Sequence, residues 1–308
     1  MTGGAGFIGS HVTAELLQRG HSVRVLDNFS TGSRSNLDAV GGDAELVEGD
    51  IRSYERAHAA TAGIDCVIHL AALPSVPRSV QDPLTTNEVN VTGTLNVVLA
   101  ARDAGTQRVV MASSSSVYGR AEGLPKTEAL VPQPISPYGV SKLAAEQYCM
   151  GFNAVYGIEA VALRYFNVFG PRQDPNSQYS GVIPKFVTSA LEGEPLVVFG
   201  DGAQSRDFTY VDNVVAATLS ASELPLAGPL VCNIGCGSSH TVTSLAETVG
   251  EVTGRAVAIE YVDARPGDVL HSFADIAVAR EALGYDPRVG LTEGLERTVE
   301  WMLGEHAR

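Results

Sequence analysis

A chain of 308 residues with 44% hydrophobic and 18% charged residues can bury a sizeable core and is not a disordered polymer. Its formal charge of −14 excludes a general affinity for nucleic acid or an anionic membrane surface, so an anionic ligand must find local Arg or Lys. Cys66, Cys149, Cys232 and Cys236 form no CxxC pair and read as reduced thiols of a cytoplasmic protein; no leader is visible, and no apolar run reaches the roughly 18 residues of a membrane span.

The chain opens on Thr2-Gly3-Gly4-Ala5-Gly6-Phe7-Ile8-Gly9, a glycine-rich turn running into a helix with Val12, Leu16 and Leu17 at apolar helical spacing. Glycines let the backbone approach a pyrophosphate, and a helix N-terminus offers its free N–H groups to that charge. A short apolar strand follows and ends in Asp27, at about the 20-residue distance of a carboxylate that holds the adenosine ribose hydroxyls. Such a carboxylate repels a 2'-phosphate, so NAD is expected rather than NADP. A dinucleotide fold places a buried strand directly before this loop. The true start is therefore expected upstream, with Met1 standing where the last residue of that strand belongs.

Two further apolar strands, 44–51 and 65–72, alternate with helical stretches, notably 87–104. This alternation predicts an α/β fold of Rossmann type, a doubly wound parallel sheet covered on both faces, with ligands at the carboxyl ends of its strands. There Asp50 and Ile51 would flank an adenine, while Ala71 and Ala72 would let a cofactor lie against the backbone. The next strand, 107–112, opens into Ser113, Ser114, Ser115 and Ser116, hydroxyls able to bond a substrate oxygen and steer its proton. Tyr138 and Lys142 then stand four apart in a helix-forming run, on one face. A phenol of reference pKa about 10 beside a cation is expected to favour phenolate and to act as an acid-base group near neutral pH.

Taken in this order, the glycine loop, Asp27, the Ser114 strand end and Tyr138-x-x-x-Lys142 resemble the extended short-chain dehydrogenase/reductase family. Within it, the chain is similar to the NAD-dependent nucleotide-sugar epimerases over essentially its whole length. The resemblance implies an NAD-binding portion over 1–165 with its first strand truncated, and a nucleotide-sugar-binding portion over 166–308 interleaved with it. It implies a catalytic set of Ser114, Tyr138 and Lys142. NAD would be held by Gly3, Gly6, Phe7, Ile8, Asp27, Asn28, Ser30, Thr31, Gly32, Asp50, Ile51, Leu70, Ala71, Ala72, Asn90, Tyr138, Lys142 and Tyr165. A UDP-sugar would be held by Ser75, Ser114, Ser115, Tyr138, Asn167, Val182, Val198, Phe199, Arg206, Arg265, Asp268 and Ser272, with no metal.

The implied reaction inverts C4 of a UDP-hexose through a 4-keto sugar with no net redox change. Dehydratases of the family carry an acidic pair where this chain has Ser115 and Ser116, so elimination is disfavoured. Ser272 stands where residue size limits the 2-substituent, and its small side chain implies turnover of UDP-N-acetylglucosamine as well as UDP-glucose. Pro74 departs from the Lys often found there in the glucose/galactose enzymes, so the sugar loop is expected to be shaped differently. The alternatives are UDP-glucuronate 4-epimerisation and another NAD-dependent nucleotide-sugar oxidation. A homodimer through the helices around 87–104 and 137–156 is also implied.

Overall fold

The structure is a computed structural model that describes residues 1–175, 181–264 and 269–306. Its parallel sheet is built from β1 (Arg24–Asp27), β2 (Glu45–Glu48), β3 (Cys66–His69), β4 (Arg108–Ser114), β5 (Glu159–Tyr165) and β6 (Leu230–Ile234). β2 pairs with β1, and β3, β4, β5 and β6 pair in that order, all parallel. Met1 and Thr2 fill the place between β1 and β3: Thr2 N–H donates to the Ile68 carbonyl at 2.9 Å, and the Met1 carbonyl accepts from Leu26 at 2.8 Å. The sheet therefore changes direction at Thr2, and a ligand crevice belongs above that point, at the carboxyl ends of the strands.

Burial on both faces explains why the strands read as continuous apolar runs. β4 is buried at every residue, with Val109 and Met111 in one core cluster and Val110 and Ala112 in the other. At the edge, β2 is largely exposed and carries Glu45 and Glu48, charges that discourage further strand pairing.

The helix Pro137–Tyr156 has its ends fixed by sequence. Ser136 caps it by accepting from Gly139 N–H, Pro137 occupies the first turn, and Gly157 ends it at φ +74°. It buries Gly139, Ser141, Lys142, Ala145, Glu146 and Cys149. The single helix expected over 87–104 is instead Pro83–Asn87, a π-type turn Glu88–Thr92, and Gly93–Asp103. The wider turn accommodates Asn90, whose side chain bonds the Leu73 backbone and Ser141 rather than solvent.

After β5 the chain builds short strand pairs, Leu196–Phe199 with Ile259–Val262, and Ser205–Arg206 between His240–Thr241 and His271–Ser272. It also returns to the first unit: β6 joins the main sheet, and the helix Val211–Glu223 packs on Phe7–Gln18. Among the described residues all four cysteines are free, no His/Cys/Asp/Glu group could hold a metal ion, and no helix is long and apolar enough to cross a membrane.

Candidate active site

The glycine loop owes its shape to close backbone packing. Gly3 has φ +71°, and a Cβ there would lie 2.7 Å from Ala71 N; a Cβ on Gly9 would lie 2.0 Å from the Gly3 carbonyl oxygen. The helix Phe7–Gln18 then starts at Gly6 with no side-chain cap, leaving its first N–H groups to a ligand anion. Asp27 is 8% exposed and locks the loop from the other side, accepting from Ala5 N–H at 2.9 Å and Phe29 N–H at 2.8 Å. Asp27 also lines the cleft. Asn28 donates to Asp50 at 2.9 Å, and the hydrogen bonds and charge of Arg52 hold the Asp50 carboxyl below its ordinary range.

These residues open on a cleft of about 830 Å³. Gly3, Gly6, Phe7, Ile8, Asp27, Asn28, Ser30, Thr31, Gly32, Asp50, Ile51, Leu70, Ala71 and Ala72 line one part of it; Ser114, Ser115, Tyr138, Lys142, Tyr165 and Asn167 line another. A glycine cradle with uncapped N–H groups and a buried carboxylate at the strand end fits the pyrophosphate and adenosine ribose of NAD.

At the reactive end Ser114 terminates β4, and register places Ser113 opposite Arg164 and Ser114 opposite Tyr165. Ser114 bonds the Tyr138 phenol and also accepts from Ser116 N–H at 3.1 Å. The expectation that a neighbouring cation favours phenolate at Tyr138 is opposed by burial. Burial raises the Tyr138 pKa, and the Ser114 hydrogen bond is the influence that lowers it. Lys142 is itself 5% exposed, and burial drags its ammonium down to about 8. Desolvation penalises both charged forms, an effect that sequence spacing does not register.

Several other candidates lie apart from the cleft lining. Asn90 is 1% exposed and braces the Leu73 loop against Ser141 of the Tyr138 helix. The Ser75 hydroxyl caps the helix Val76–Gln81. Tyr165, although it lines the cleft, turns its hydroxyl to Thr218 at 2.7 Å. Val182 follows the cleft residue Gly181, and Val198 is packed in the core while Phe199 ends its strand half-buried. Arg206 donates to the Ser205 and Leu270 carbonyls at 2.9 and 3.1 Å and pairs in register with Ser272. Arg265 and Asp268 lie outside the described residues.

Asn167, by contrast, holds a non-glycine φ of +29° at the cleft, with its amide on the Asp207 carbonyl at 3.2 Å. Sequence reading missed the cleft residues Arg78, Gln173 and Asp174. The signal for Arg78 was Pro77 inside the first turn of the helix Val76–Gln81, which marks a helix start shortly after the cleft residues Ala71 and Ala72.

Comparison with known proteins shows the family of the chain. The UDP-glucose 4-epimerase of Mycolicibacterium smegmatis is 37% identical over 309 aligned positions, covering 98% of this chain and 97% of the relative. The structure of the Thermotoga maritima UDP-glucose 4-epimerase with UDP-glucose superposes at a TM-score of 0.94 with 38% identity, covering 99% of this chain and 98% of that one. A UDP-N-acetylglucosamine 4-epimerase of Methanobrevibacter ruminantium, in complex with UDP-N-acetylmuramic acid, gives a TM-score of 0.94 and 38% identity over 99% of this chain and 97% of its own. Residues 1–235 match the model of one family, so the chain belongs to the NAD dependent epimerase/dehydratase family.

Proposed function

We propose that the protein is a UDP-hexose 4-epimerase that interconverts UDP-glucose with UDP-galactose and UDP-N-acetylglucosamine with UDP-N-acetylgalactosamine. The observation that carries this reading is the meeting of Ser114, Tyr138 and Lys142 in the same cleft that the glycine loop and Asp27 line. Family relatives named for both sugars support it. In this reading residues 1–165 hold NAD, and 166–308, with Arg206, Arg265 and Asp268, hold the nucleotide diphosphate.

The chain's own residues then divide the work. Ser114 donates its hydroxyl to O4 of the sugar and keeps that oxygen beside the phenol. Tyr138 takes the O4 proton during oxidation and returns it during reduction, and the Lys142 ammonium steadies the phenolate. When bound, NAD supplies reversible hydride removal at C4 and a positive ring near the phenol. Ser115 and Ser116 offer no carboxylate for elimination, which supports epimerisation over dehydration.

A second reading, UDP-glucuronate, is favoured by Arg78, because a guanidinium in the cleft wall suits a C6 carboxylate. Incubating the purified protein with NAD and each of UDP-glucose, UDP-N-acetylglucosamine and UDP-glucuronate, and following C4 configuration by proton NMR, separates the two. C4 epimers of the first two sugars, without accumulating NADH, are expected. Turnover of UDP-glucuronate alone would install the second reading, and stoichiometric NADH would overturn epimerisation.

The free cysteines suit a cytoplasmic protein. A homodimer is part of the same reading, supported by apolar side chains left in solvent on the helices that would pair: Leu84 at 77%, Val140 at 53% and Val155 at 72% exposure. Sedimentation of a single species at the monomer mass would remove it.

A further inference from the structure

The helix that carries Lys142 is tied to β5 by a buried ion pair, and the strand end that carries Ser114 joins that pair through a hydrogen bond. Glu146 lies one turn beyond Lys142 on the buried face of the helix Pro137–Tyr156, and Arg164 is the penultimate residue of β5. Their side chains are 1% and 5% exposed. Arg164 grips both carboxylate oxygens, Nε to Oε2 at 3.0 Å and Nη2 to Oε1 at 2.6 Å. Ser113, the residue before Ser114, donates its hydroxyl to the same Oε2 at 2.7 Å.

The path continues beyond the pair. Arg164 Nη1 donates to the Tyr118 hydroxyl at 3.0 Å, and Tyr118 donates to Asn233 Oδ1 at 2.6 Å. Asn233 in turn donates to the Lys126 and Asp275 carbonyls at 2.8 and 3.1 Å. Desolvating two charges is costly, and an apolar pair of similar shape often serves stability as well or better. A clamp of this kind, adjoining two proposed catalytic residues, therefore invites an explanation beyond stability.

The surroundings of Lys142 supply one. Its own helix presents Tyr138, Glu146 and Cys149, and β3 presents His69. Burial, aided by Lys142, holds His69 neutral with a pKa down at about 3, and burial pushes the Cys149 thiol up to about 12. Neither carries charge at neutral pH. Glu146, ion-paired and rigid, is the formal negative charge facing Lys142 from this set, and it acts against the burial that pulls the ammonium down.

We propose that Glu146, clamped by Arg164 and Ser113, is a positioning residue: it sustains the ammonium of Lys142 beside Tyr138 and fixes the strand end that presents Ser114. The proposal rests on the epimerase reading. It is tested by the pH dependence of kcat for UDP-glucose, from about pH 6 to about pH 10, in the NAD-loaded wild type and in Glu146→Gln, Glu146→Asp and the double variant E146M/R164M.

Wild-type kcat is expected to fall above an apparent pKa near 8, as Lys142 loses its proton. In Glu146→Gln that limb should move at least about one unit lower and in the double variant, which loses a cation with the anion, lower by less, whereas Glu146→Asp should hold it within roughly 0.3 unit. The double variant leaves no orphaned guanidinium and stands in if Glu146→Gln does not fold. A limb that stays in place while kcat drops equally at every pH would make the pair structural only and overturn the proposal, as would loss of folding in all three variants. Inactivity of the wild type on every UDP-sugar would remove the functional reading and this proposal together, so the two failures are distinguishable.

Discussion

Tyr138→Phe is expected to lower kcat for C4 epimerisation by about 10³-fold, within the 10²–10⁴ range of general acid-base catalysis and equivalent to about 4 kcal/mol of barrier. The substitution removes one oxygen and keeps the ring, so the half-buried side chain still packs against the cleft. What it takes away is the group that would carry the O4 proton in the proposed mechanism, and with it the partner of the Ser114 hydroxyl. KM for the UDP-sugar should change by less than about tenfold, because the lost interaction is made in the transition state. Stability should fall by no more than about 1–3 kcal/mol, the cost of leaving one buried hydroxyl without its partner. Burial raises the phenol while Ser114 lowers it, so the hydroxyl of Ser114 is part of what makes proton transfer feasible. Ser114→Ala is therefore expected to cost kcat in the same direction. Steady-state rates and thermal unfolding of the purified variants check both claims, and a Tyr138→Phe enzyme within tenfold of wild type would sink the assignment.

How much of this was legible depends on how far apart in sequence the cooperating residues stand. The glycine loop, Asp27 and the Tyr138–Lys142 pair are local patterns, fixed by turn geometry and helical spacing, and the cleft does bring them together. The Glu146–Arg164 clamp spans 18 positions and the Tyr118–Asn233 bond spans 115, and neither has a local periodicity to betray it. Asn90 reads from sequence as a helical residue aimed at a cofactor, yet a π-type turn sends its amide to the Leu73 backbone. The same limit governs charge. Spacing shows that Lys142 lies beside Tyr138, but the desolvation that raises the phenol and lowers the ammonium is set by elements distant in the chain. The portion after β5 is least legible because its strands are two to five residues long and its ligand candidates come from several separate turns.

Gly9→Ala tests the other end of the cleft. Its Cβ would sit 2.0 Å from the Gly3 carbonyl oxygen, 2.8 Å from Gly3 C and 2.9 Å from Gly4 Cα, all backbone atoms that no rotamer change can move aside. The loop cannot yield on the far side either, since Gly3 at φ +71° already lies against Ala71. The helix Phe7–Gln18 must therefore back away from the loop, taking with it the uncapped N–H groups that would meet the pyrophosphate. Overpacking of this kind costs about 1–3 kcal/mol of stability. A displaced anion site should raise the Kd for NAD by at least about a hundredfold, some 2.7 kcal/mol. Wild-type protein at a hundred times its Kd gains about 2.7 kcal/mol from NAD, and the variant at the same concentration should gain almost none. Gly304→Ala is the matched control: the same methyl, in open space within the helix Leu291–His306, should leave the Kd near wild type and raise stability by up to about 1 kcal/mol. Calorimetric NAD titration with unfolding scans gives both numbers, and a Gly9→Ala protein that binds NAD within threefold of wild type would show that the loop packing does not govern the cofactor site.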